Sequence, residues 1–80
     1  MTEDEMAIII GEVLKEVRIQ KGITIKDAAK KLKISPTIIE KAETGCNITF
    51  CEFYGLTEIY NVSPVEITSI IYDRMKKGGN

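Results

Sequence analysis

The chain has no histidine, and only two cysteines, two prolines and 6% aromatic residues among its 80 positions. Without histidine, the commonest general base and the commonest metal ligand are both missing. Cys46 or Cys51 acting as a nucleophile would have no imidazole to activate it. Two thiols alone cannot close a structural zinc site, which takes four ligands. There is no glycine-rich phosphate loop and no carboxylate pair in a pocket-forming frame. The expectation is a non-enzyme that uses neither metal nor cofactor. Long apolar runs are missing too. The longest early one, residues 6–10, follows Glu3, Asp4 and Glu5. A secretory leader would carry bases there, and a membrane span needs roughly 20 apolar residues. The expected setting is the cytoplasm, away from membranes, with both thiols reduced.

What is present is 44% hydrophobic and 29% charged residues, the balance of one small globular domain rather than a disordered chain. Residues 1–76 are expected to form that domain and residues 77–80 a flexible tail, with Gly78-Gly79-Asn80 frayed. A core of this size supplies only about 3–5 kcal/mol, so self-association or a partner would add stability. The net charge of −1 hides an uneven distribution. Residues 48–72 carry three acids and no base, whereas residues 23–47 carry Lys26, Lys30, Lys31, Lys33 and Lys41 against three acids. Arg74, Lys76 and Lys77 make the end basic as well.

Helix starts recur along the chain. Thr2-Glu3-Asp4-Glu5, Thr49-Phe50-Cys51-Glu52 and Ser63-Pro64-Val65-Glu66 each fit the capping box, in which hydroxyl and carboxylate reciprocally satisfy two orphan amides. Thr24-Ile25-Lys26-Asp27 is a weaker version, and Ser35-Pro36 puts proline at the first helical position, where its missing N–H does no harm. Five such signals without strand-like alternation predict an all-α fold, with helices near 3–20, 25–32, 36–44, 50–60 and 64–75. Met6, Ile9, Ile10, Val13, Leu14 and Val17 form the apolar stripe of the first. Ala28, Ala29 and Leu32 face inward from the second, and Ile39 and Ala42 from the third. Phe50, Phe53, Leu56, Ile59 and Tyr60 serve the fourth, and Val65, Ile67, Ile70, Ile71 and Met75 the fifth.

The second and third helices are separated by about three residues, so they must cross steeply, and a small residue is needed where they approach. Ala29 supplies it, with Ile34 and Ile39 as the wedge that sets the angle. That geometry lets the third helix protrude into a major groove about 12 Å wide.

These residues, in the frame Leu14-Lys15-Glu16-Val17-Arg18, Lys21-Gly22-Ile23-Thr24, Ala29, Leu32, Ile34-Ser35, Ile39, Glu43-Thr44-Gly45 and Asn61-Val62-Ser63, resemble the lambda-repressor/Cro (XRE-type) helix-turn-helix family. The resemblance covers about residues 10–65. It implies a five-helix DNA-binding domain and a repressor-type, sequence-specific regulator that binds operator DNA as a homodimer. It implies a structural ion pair between Arg18 and Glu43. Carried over by position, it gives base contacts to Pro36, Thr37 and Lys41, and phosphate contacts to Thr24, Lys26, Thr44 and Asn47. Ile70, Ile71, Tyr72 and Met75 of the fifth helix are candidates for the oligomer surface.

The chain departs from the family pattern at several points. Ile25 replaces a frequent glutamine, Lys33 a common turn glycine, and Pro36, Ile38 and Glu40 stand where polar or basic residues are usual. Lys33 must then take a left-handed backbone, at roughly 1–2 kcal/mol. Ile25 and Ile38, with Ile48 nearby, suggest an alternative use of the same fold: an apolar face that binds a protein partner, as in an antirepressor or regulator subunit.

Overall fold

The computed structural model describes residues 2–78; Met1, Gly79 and Asn80 lie outside the described residues. Five helices follow in order: α1 (Glu3–Gln20), α2 (Ile25–Leu32), α3 (Pro36–Glu43), α4 (Phe50–Ile59) and α5 (Pro64–Gly78). No strand occurs among the described residues.

Capping sets the starts. Thr2 Oγ1 accepts from the Glu5 amide at 3.1 Å while the Thr2 amide donates to Glu5 Oε1 at 3.0 Å, and Thr49 and Glu52 close the same box at 3.1 Å in both directions. Thr24 Oγ1 accepts from the Asp27 amide at 3.0 Å. At Ser63 the hydroxyl accepts from Val65, one position earlier than the box pattern predicts.

The stops share one device. After α1, α2, α3 and α4 a single residue turns left-handed: Gly22 (φ 70°), Lys33 (φ 60°), Gly45 (φ 103°) and Asn61 (φ 56°). Each time the next amide reaches back five residues, as in Ile23 to the Arg18 carbonyl and Ile34 to the Ala29 carbonyl. This pattern satisfies the carbonyls that a helix end orphans. The apolar residue that follows then folds inward, and Ile23, Ile34 and Val62 all pack against the core. Lys33 thus holds the strained backbone that its place in the turn requires.

Val13, Leu14 and Val17 form the centre of the core, with Ala28, Ala29, Ile39, Leu56, Tyr60, Ile67 and Ile71 around them. α1 packs on α3 and α5, α2 on α3 and α4, and α4 on α5. Two apolar positions expected inside are outside: Phe50 is 73% and Val65 79% exposed. Both lie in the first turn of their helix, where the periodicity is right but no neighbour covers the turn. Ala7 and Gly11, absent from the expected stripe of α1, are buried. α5 runs past Met75 through Lys76 and Lys77 to Gly78, so the tail expected from residue 77 begins as helix. No helix among the described residues is long and apolar enough to cross a membrane.

Candidate nucleic-acid interface

α3 has two different sides. Ile39 and Ala42 are buried, at 1% and 3% exposure, and Glu43 turns toward α1. Pro36, Thr37, Glu40, Lys41 and Thr44 are all exposed, and their spacing puts them on the opposite side of the helix. Ser35 caps the start, accepting from the Thr37 amide at 3.3 Å, with Pro36 at the first helical position. The helix is therefore anchored along one side and open to solvent along the other.

The anchor is partly ionic. Arg18 Nε donates to Glu43 Oε2 at 2.6 Å and Nη2 to Oε1 at 3.1 Å, while Nη1 donates to the Ile23 carbonyl at 2.9 Å. The two side chains are only 12% and 5% exposed. This fork is the pair expected between Arg18 and Glu43, and Glu43's hydrogen bond raises the guanidinium pKa still higher. A bidentate arginine fixes direction as well as distance, so it sets how α3 lies on α1.

The remaining residues expected at the interface, Thr24, Lys26 and Asn47, are also exposed, at the start of α2 and in the loop after α3. Thr24 Oγ1 is engaged as an acceptor by the helix cap, which leaves its proton for an outside acceptor such as a phosphate oxygen. Thr44 Oγ1 donates to the Lys41 carbonyl at 2.9 Å. Its proton is thereby used within the chain, and the oxygen can only accept from a partner.

Two expectations are corrected. The apolar partner face does not stand open, because Ile25 and Ile48 pack against the core of their own chain and Ile38 is half-buried. Ile25 and Ile48 complete the bundle instead of presenting a patch. On α5, Ile71 is 7% exposed and belongs to the core, and Met75 packs against it. Of that group Ile70 and Tyr72 are exposed, at 39% and 64%. The more continuous apolar surface lies where α4 meets α5, in hollows lined by Phe50, Phe53, Tyr54, Pro64, Val65 and Thr68. There the Phe50 and Tyr54 rings stand 5.2 Å apart.

Gly11, outside the expected apolar stripe of α1, and Tyr60, expected on the apolar side of α4, are both buried. A Cβ on Gly11 would stand 2.3 Å from the Ala42 carbonyl oxygen. Tyr60 is fully buried, and its hydroxyl has no hydrogen-bond partner among the described residues. Burial, with Glu43's negative charge adding to it and Arg18 opposing, pushes that phenol up to about 12. A glycine in mid-helix was the signal for the first, since it weakens a helix unless something must come close.

A helix-turn-helix family profile matches residues 14–67, well over half of the chain and all of the α2–α3 unit. The chain belongs to the helix-turn-helix family. Its fold is similar to the wild-type restriction-modification controller protein C.Esp1396I, at 24% identity and a TM-score of 0.79 over 88% of this chain and 93% of that one. A point mutant of the same controller protein gives 25% identity and a TM-score of 0.81, covering 90% and 92%. No curated protein matches. This helix-turn-helix chain is a DNA-binding transcription regulator of the XRE type.

Proposed function

We propose that the chain is a cytoplasmic, repressor-type regulator that inserts α3 into the major groove of an operator and binds as a homodimer. The observation that carries this reading is the two-sidedness of α3. Its inner side is held by Ile39, Ala42 and the Arg18–Glu43 fork, and its outer side, with Pro36, Thr37, Glu40, Lys41 and Thr44, is free of the fold. Thr37 donates to a base edge or sets its methyl against thymine, and Lys41 reaches guanine O6 and N7. Pro36 contributes shape alone. Thr24, Lys26 and Asn47 hold the phosphates on either side and fix the register. With few basic contacts per subunit, the salt dependence is shallow, with a log–log slope of about −3 to −6 for a dimer.

Selection of duplexes from a random library, followed by gel shifts at two salt concentrations, tests the reading. Lys41→Ala weakens binding to the selected duplex by about 1–3 kcal/mol and relaxes the preference at one position. Equal loss on selected and random DNA assigns Lys41 to a phosphate instead. Failure of the wild-type chain to enrich any sequence removes the reading altogether.

The dimer is proposed on the α4–α5 face, where Phe50, Tyr54 and Val65 are 73%, 46% and 79% exposed beside apolar hollows. A two-fold copy there lets the exposed rings of one subunit fill the hollows of the other, leaving both α3 helices for half-sites about 34–36 Å apart. Sedimentation equilibrium should show a dimer that Val65→Glu converts to monomer. A wild-type chain that stays monomeric at DNA-binding concentrations rejects that surface.

A further inference from the structure

We propose that Gly11 is a positioning residue for DNA reading, which lets the last turn of α3 rest directly on the backbone of α1 and so sets the height and tilt of the reading side. The proposal rests on α3 being the helix that enters the groove.

Gly11 is buried in the middle of an 18-residue helix. Interior glycine weakens a helix relative to alanine, so its place there needs a steric reason. A Cβ at this position would lie 2.3 Å from the Ala42 carbonyl oxygen and 3.0 Å from both the carbonyl carbon and oxygen of Glu43. All three atoms are backbone and cannot rotate aside. Even to reach 3.0 Å, the Ala42 carbonyl must retreat by at least about 0.7 Å. Binding residues have to be held to within roughly 0.5 Å of their productive geometry, so a retreat of this size matters for reading bases.

Gly11 does not act alone. Gly45, just past α3, approaches Ile8 so closely that a Cβ there would stand 2.7 Å from Ile8 Cγ1. Two turns beyond Gly11, Arg18 grips Glu43. Ile8, Gly11 and Arg18 share one side of α1 by helical spacing, and the end of α3 is applied along it. Gly11 sets the depth of this seat and Arg18 its direction.

Gly55 provides a matched comparison. It too is interior to a helix, α4, and its Cβ would also meet an atom at 2.3 Å. That atom is Leu32 Cδ1, the far end of a side chain that can change rotamer, in the contact between α2 and α4. Alanine at 55 therefore moves a methyl group, whereas alanine at 11 moves α3.

The test measures wild type, Gly11→Ala and Gly55→Ala on two duplexes: one selected by the wild-type chain from a random library, and one of random sequence. Gly55→Ala should stay within about threefold of wild type on both. Gly11→Ala should lose at least tenfold on the selected duplex and less than threefold on the random one, with helical circular dichroism and a cooperative melt retained. Reselection with Gly11→Ala should return an altered consensus. If this variant is too unstable at assay temperature, the measurements are made in sucrose, which strengthens effective burial. Unchanged affinity for the selected duplex, equal losses on both duplexes, or a chain unfolded even in sucrose overturns the proposal. If the wild type selects nothing, it is the assignment of α3 that fails. If the wild type selects and Gly11→Ala matches it, only the role of Gly11 fails.

Discussion

α1 carries two arginine–glutamate forks of almost the same length in very different surroundings. Arg18 and Glu43 join α1 to α3 with side chains 12% and 5% exposed, at 2.6 and 3.1 Å. Arg74 and Glu16 join α5 to α1 at 2.6 and 2.9 Å, with side chains 35% and 53% exposed. Bond length does not tell the two apart, but solvent does. Water and salt screen the outer fork, and each of its charges is nearly as well solvated when the fork opens. The inner fork has no such alternative, since either charge left alone would remain half-desolvated. The α3 side of the molecule is therefore fixed by a contact that cannot be relaxed cheaply, and the α5 end by one that can.

The largest expected effect comes from breaking the inner fork. Arg18→Ala should cost about 3 kcal/mol in urea denaturation, because it strands Glu43 and uncaps the Ile23 carbonyl. A loss below about 1 kcal/mol would place the two forks in the same class. Next in size is the buried neighbour of that fork. Tyr60→Phe removes a hydroxyl without a partner among the described residues and should raise stability by about 1–2 kcal/mol. The same substitution tests the alkaline limb. Folded Tyr60 titrates at about 12 against 10 for the free side chain, so the unfolded chain loses this proton first and stability falls as pH rises above 10. In the phenylalanine variant that limb should be shallower, and parallel alkaline melts would contradict it.

Lys33→Gly probes a constraint of the α2–α3 turn that involves no charge. Relieving φ 60° should add about 1 kcal/mol and raise Tm by about 4–8 °C. The smallest effect belongs to the outer fork. Arg74→Ala should cost no more than about 1 kcal/mol, and less in high salt. Glu16 has its carboxyl held below the usual range by Arg74's hydrogen bond, so this small contribution is present at neutral pH and fades as the carboxylate protonates in acid.

Much of this architecture was legible in the sequence because it is written locally. The threonine caps of α1, α2 and α4 join residues within one turn of each other. The Arg18–Glu43 pair came from the family resemblance, and the seven interface candidates are exposed. What periodicity could not give was coverage. It aligned Phe50 and Val65 with the buried stripes of their helices, but whether a neighbour overlies the first turn depends on how α4 and α5 cross. For the same reason Ile71 counts both in the apolar stripe of its helix and among the oligomer-surface candidates, and Ile25 among those of an apolar partner face, although both pack inward. Gly11 escaped because a residue without a side chain carries no hydropathy, and its importance lies in the atoms it leaves room for.

The separation of α3 into a fixed inner side and an unencumbered outer one has an evolutionary corollary. Thr37, Glu40 and Lys41 are exposed, so mutation can change what the outer side presents while the chassis behind it stays the same. A lineage built on this chain can vary that surface by single steps without first acquiring stability to spare.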